Sequence, residues 1–235
     1  MLILGAALVA WIVTVARMRG MDEGPGTDLG GLGWFVGIWL TMTAAMMLPS
    51  TLPMLSTYAR VARPPRTAMF VLGYLADWTA FGLAAYVACS SLASVAPEWD
   101  SGGAWLAGGA IAAAGLYQLT PLKQACLRHC RGPLRFVVDG WREGRAGALR
   151  MGAEHGGYCV GCCWGLMAAL FALGVMSLFW TAVVGAAIFA EKVLPRGERL
   201  AAAVAVALVV LGLAVALAGG DVPGLTQPAP MEMER

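Results

Sequence analysis

The stretch from Gly157 to Ala190 contains no Asp, Glu, Lys or Arg. It is too long for one ordinary helix across about 30 Å of hydrocarbon, which takes roughly 20 residues. Gly174 and Ser177 stand near its middle, so it divides into two spans joined by a tight hairpin. Five further apolar runs occupy roughly 1 to 16, 34 to 55, 67 to 92, 103 to 119 and 200 to 219. With 59% of its residues hydrophobic and 13% charged, the chain lies outside the soluble globular class. The expected fold is all-α: a polytopic transmembrane helical bundle of about seven spans, or six if the first run does not cross. Residues 1–219 form this single domain. The Pro- and Gly-rich tail 220–235 is expected to be disordered.

Basic residues set the expected orientation, because Lys and Arg are retained in the cytoplasm. Arg60, Arg63 and Arg66 form one group, and Lys192, Arg196 and Arg199 another. A long basic loop at 120–155 carries Lys123, Arg128, Arg131, Arg135, Arg142, Arg145 and Arg150. These three groups hold 13 of the 16 basic residues, and seven spans place them all on one side. The amino terminus is then inside and the carboxyl terminus outside. Arg17 and Arg19 run against this assignment, diluted by Asp22, Glu23 and Asp28. The first apolar run lacks a basic leader and a small-residue cleavage site, so it reads as a retained span.

Five of the six cysteines flank the basic loop. In the cytoplasm thiols stay reduced, so metal binding or redox chemistry is favoured over structural disulfides. In CLRHC the soft groups are Cys126, His129 and Cys130; in CVGCC they are Cys159, Cys162 and Cys163. Both triplets follow i, i+3, i+4, which places each on one helix face. Two helix ends meeting at the cytoplasmic interface would offer one site five thiols and an imidazole, with His155 a lesser candidate. Thiolate and imidazole suit copper, zinc or an iron–sulfur cluster, and not magnesium or calcium. Cys89, alone in its span, reads as a small buried hydrophobe.

Other intramembrane residues extend this picture. Met42, Met46 and Met47 precede Pro49 and Pro53; thioethers are soft ligands, although methionines more often fill gaps in cores. Each proline frees a carbonyl and bends its helix. Asp77 is a carboxylate well inside a span, where it must face the bundle, a cavity or a partner. Met42, Met46, Met47 and Asp77 therefore mark a possible intramembrane pathway. Gly157, Gly161 and Gly165 recur every four residues as a stripe for close helix packing. Glu191 and Lys192 read mainly as an interface anchor.

The segments WLTMTAAMMLPS, YQLTPLKQACLRHCRGP, GGYCVGCCWGLM and AEKVLPRG together resemble the bacterial predicted metal-binding integral membrane proteins of the domain of unknown function family DUF2182. The resemblance spans roughly residues 30 to 215 and is most specific in the two cysteine segments. It implies a multi-span helical membrane protein that binds metal, with no established activity. The family pattern falls on Met46, Met47, Pro49, Tyr117, Gln118, Pro121, Lys123, Cys126, Cys130, Cys159, Cys162, Cys163, Trp164, Glu191 and Lys192.

The leading expectation is a soft-metal protein, copper preferred over zinc or iron–sulfur, that stores, senses or transfers metal at a cytoplasmic-face cluster. A metal donor or acceptor protein, or a larger membrane complex, would be its partner. Cys126, Cys130, Cys162 and Cys163 form the expected core ligand set. No catalytic residues, nucleotide loop or nucleic-acid motif are present, so a non-enzyme is favoured. A thiol–disulfide oxidoreductase using the CxxC at 159–162 is an alternative, as is a non-catalytic helical subunit of a membrane complex.

Overall fold

In the computed structural model, residues 2–19, 30–93 and 102–218 are described. They form α1 (Leu2–Met18), α2 (Leu32–Val61), α3 (Pro64–Ala93), α4 (Gly103–Tyr117), α5 (Pro121–Arg131), α6 (Pro133–Asp139), α7 (Gly144–Gly174), α8 (Leu178–Val193) and α9 (Gly197–Ala218). Every apolar run of the sequence is helical, and the described residues contain no strand. The long run breaks at Gly174, whose φ of 104° ends α7, and Ser177 caps α8 by accepting from the Trp180 amide. The tail 220–235 lies outside the described residues.

Two expectations are corrected. Among the described residues, four helices are long and apolar enough to cross a membrane, fewer than seven: Leu32–Val61, Pro64–Ser91, Gly144–Gly174 and Gly197–Leu217. Helices α1, α4 and α8 have 17, 15 and 16 residues. At 1.5 Å per residue they reach only about 22–26 Å, short of a full crossing. The segment 120–155, expected as a loop between spans, contains α5, α6 and the first turns of α7. Thr120 caps α5 with Pro121 behind it, Pro133 opens α6 after Gly132, and α7 begins at Gly144, thirteen residues before its uncharged run. Proline in the first helical turn costs nothing, because that amide has no intrahelical partner.

The three basic groups gather at one end of the bundle. Arg66 pairs with Glu143 at 3.1 Å, Tyr58 packs on Trp141, and the Arg131 guanidinium donates to the Glu191 carbonyl at 2.5 Å. Helix α2 continues through Pro49 and Pro53. The hydroxyls of Ser50 and Thr51 return to the Met47 carbonyl, and those of Ser56 and Thr57 to that of Pro53, which pairs each hydroxyl within its own helix by the i−3/i−4 back-bond usual for Ser and Thr.

Close helix crossings depend on absent side chains. A Cβ at Gly73 would strike the Leu149 carbonyl, and one at Gly152 the Phe70 carbonyl, so α3 and α7 touch backbone to backbone. Gly108 and Gly212 do the same for α4 and α9. The shared core holds Trp39, Trp78, Met42, Met46, Met47 and the α7 cysteines, with the Trp39 indole donating to the Trp78 carbonyl at 2.8 Å.

Candidate metal centre

Helical spacing places Cys159, Cys162 and Cys163 on one face of α7, and their sulfurs all lie within 4.8 Å of one another. All three are 1% exposed or less. Cys162 Sγ is 3.3 Å from Cys163 Sγ and donates to the Cys159 carbonyl at 3.2 Å. From α5, Cys130 Sγ reaches within 3.7 Å of Cys162 Sγ. The cluster therefore sits inside the bundle, midway along α7, rather than at the mouth of a helix beginning near residue 157.

The surrounding polar groups come from three other helices. Lys192 Nζ on α8 donates to Cys159 Sγ at 2.8 Å and to Ser50 Oγ on α2 at 3.5 Å. Tyr74 Oη on α3 lies 3.0 Å from the same sulfur and 3.1 Å from Thr51 Oγ1. A buried ammonium demands a counter-charge, and Cys159 is the acidic group it touches, an arrangement that suits an ammonium–thiolate pair. On α5 the Cys130 thiol is held well above its ordinary range, chiefly through its hydrogen bond to Cys159.

The neighbouring acid is already committed. Glu191 pairs with Lys123 at 2.5 Å, with side-chain exposures of 2% and 0%. Gln118 donates to Glu191 Oε1 at 2.8 Å and accepts from Lys123 through its own carbonyl oxygen. Glu191 and Lys192 are thus both buried, which overturns their reading as an interface anchor. Adjacent in sequence, they serve two separate networks. Tyr74, Ser50 and Thr51 were not singled out by sequence reasoning; only hydroxyls on helices already rich in apolar residues signal them.

The remaining sequence candidates take other positions. Cys126 is half-buried, its sulfur against Gly161, where a Cβ would lie 2.7 Å away; burial pushes its thiol up. His129 is exposed and stacks on Tyr158 with centroids 4.2 Å apart. The two triplets therefore do not merge into one six-ligand site. His155 is a buried α7 residue rather than a loop histidine. It stacks on Tyr74, and its Nδ1 has no hydrogen-bond partner among the described residues.

Met42, Met46 and Met47 are buried in α2. Met42 Sδ faces Thr181 at 3.9 Å and Met46 packs on Gly185. Asp77 is half-buried against α7, where a Cβ at Gly156 would lie 2.7 Å from its carboxylate. Of the glycine stripe, Gly161 faces Cys126 and Gly165 faces Tyr117, while Gly157 has open space to 4.0 Å.

Three buried thiols that converge with a fourth nearby form a soft donor set matched to Cu(I) or Zn(II). A family model named PpoB2 and described as copper chaperone matches residues 36–215. The chain belongs to that family. The match supports the metal-handling side of the sequence resemblance under a different family label, and it directs the donor set toward copper. No curated protein and no solved structure matches the chain.

Proposed function

We propose that this protein is a membrane-embedded copper chaperone that carries Cu(I) on Cys159, Cys162 and Cys163, with Cys130 as the fourth thiol. The convergence of three buried sulfurs within 4.8 Å in a copper-chaperone family chain carries this reading. Copper is the cargo, delivered by a donor protein and released to an acceptor. Lys192 offsets the negative charge of the thiolates, so a copper–thiolate unit can lie in a low-dielectric interior. The 2.8 Å contact with Cys159 supports that role.

The setting we propose is the bacterial cytoplasmic membrane, with the basic end of the bundle facing the cytoplasm. In this arrangement the amino terminus is inside and the carboxyl terminus outside, so the three shorter apolar helices complete their passes beside the four long ones where the bilayer thins to match them. Kinship with DUF2182 belongs to the same reading. Burial of Cys159 and Cys162 at 0% and 1% exposure weighs against disulfide exchange with a protein substrate, which needs an accessible thiolate.

The test is elemental analysis of the full chain, purified in detergent after anaerobic loading with Cu(I), for wild type, the Cys162→Ser/Cys163→Ser variant and Lys192→Met. Wild type is expected to retain copper and the double cysteine variant to lose it, with Lys192→Met holding it more weakly against a competing chelator. Copper at background level in wild type, or equal copper in the cysteine variant, would refute the assignment.

A further inference from the structure

Of the triplet Cys126, His129 and Cys130, only Cys130 reaches the buried cluster, and the other two have their own geometry. Helices α5 and α7 run antiparallel in a fixed register: His129 opposes Tyr158 and Cys126 opposes Gly161. Next to them Cys130 meets Cys162 at 3.7 Å. His129 Nδ1 lies 2.9 Å from the Ala125 carbonyl. A carbonyl oxygen only accepts, so Nδ1 is the donor there and Nε2 is the ring nitrogen left for a metal. The parallel stack on Tyr158, tilted by 4°, fixes the ring plane as supporting groups do at metal sites.

His129 and Tyr158 also line an open cleft of about 450 Å³, together with Arg128, Arg135, Asp139 and Glu154. The half-buried Cys126 stands one helical turn from both His129 and Cys130, at i, i+3 and i, i+4. The absence of a side chain at Gly161 makes room for its sulfur. Soft donors thus run from an open surface, through a half-buried thiol, to the buried site.

We infer that Cys126 and His129 form a transfer station, the pair of ligands through which Cu(I) passes between the cleft and the buried cluster by way of Cys130. The inference rests on the copper reading above and names its port. Copper remains Cu(I) throughout. At each move one bond from copper to sulfur or nitrogen forms as another breaks. An arriving thiol gives its proton to solvent as its thiolate binds, and a departing thiolate takes one up. Cys126 and His129 hold copper only in passage, so resting occupancy belongs to the buried thiols.

The experiment follows release of Cu(I) from the loaded full chain to bathocuproine disulfonate by stopped-flow absorbance, with bound copper measured in parallel. Cys126→Ser, His129→Gln and His129→Ala should keep wild-type copper content yet exchange it about tenfold more slowly, the scale of losing a supporting group at a metal site. Cys126→Ser is near-isosteric, and the two histidine variants lie on an exposed face, so retained copper content reports intact folding. Exchange at the wild-type rate in all three variants overturns the station. Loss of copper from Cys126→Ser equal to that from Cys162→Ser/Cys163→Ser also overturns it, by making Cys126 a resting ligand. Absence of copper from wild type would instead refute the proposed function, and the station with it.

Discussion

Glu191→Gln removes the carboxylate that neutralises Lys123 while keeping the shape and a hydrogen-bonding amide. In the native chain the Lys123 side chain is 0% exposed and that of Glu191 2%, so water screens neither charge. The variant leaves an ammonium at full burial with only neutral acceptors. Removing one partner of a buried pair costs about 3–5 kcal/mol, or a shift of roughly 10²- to 5 × 10³-fold in the folding equilibrium. Replacing both members with neutral groups removes the uncompensated charge, so Lys123→Met/Glu191→Gln should recover most of the loss. Reversible denaturant unfolding of the detergent-solubilised chain, followed by near-UV circular dichroism, would measure all variants in a double-mutant cycle. If Glu191→Gln lies within about 1 kcal/mol of wild type, the pair does not hold α5 to α8 as described. If the double variant is as unstable as the sum of the singles, the loss is one of packing rather than of charge.

The helix crossings make a second set of expectations. Gly152→Ala would drive a Cβ into the Phe70 carbonyl and should destabilise the α3–α7 contact by about 1–3 kcal/mol, whereas Gly157→Ala, with nothing nearer than 4.0 Å, should be close to neutral; thermal unfolding of the pair checks the contrast. At the basic end, the Trp141 indole N–H, and then Arg66, hold the Glu143 carboxyl below its ordinary 4.5. A depressed carboxyl stabilises the fold above its unfolded value, so this clasp is complete above about pH 4.5 and is lost as pH falls through the lower folded value. Carboxyl-selective NMR should show the Glu143 midpoint rising in Trp141→Phe; an unchanged midpoint would remove the indole from the account.

The legible part of the site was that governed by the period of one helix. CVGCC at 159 to 163 announces three thiols on a face, because i, i+3, i+4 needs no knowledge of neighbours. CLRHC announces the same, yet only Cys130 joins, because the α5–α7 register decides which residues point inward. That register is set by long-range packing that a single sequence does not display. Lys192 was obscure for a related reason: a lysine at a helix end ordinarily carries its charge to water, and only the convergence of α2, α7 and α8 buries it against Cys159. The hairpin at Gly174 was readable from its break in the apolar run. Within 120–155 the CLRHC spacing already pointed to the helix that is α5, whereas the seven-residue α6, opened by Pro133 in its first turn, is too short to show a period.

The depth of the thiols follows from the same geometry. Cys159 lies fifteen residues before Gly174 on α7, a rise of about 22 Å from the hairpin, and Lys192 lies fourteen residues beyond Leu178 on α8, at nearly the same height. Two helices leaving one hairpin thus deliver a thiol and an ammonium to a common level. That level falls toward the basic end of the bundle, near Arg196 and Arg199, within reach of the short helix α5. Cys130 can then meet the cluster while Cys126 stays half-buried and His129 exposed on the same two turns. A free ammonium at that level would be costly, and so would a free carboxylate. The Glu191–Lys192 dipeptide resolves both, one side chain turning to Lys123 and the other to Cys159. Breaking either partnership therefore leaves a charge in the bundle interior that the other network has no spare group to neutralise.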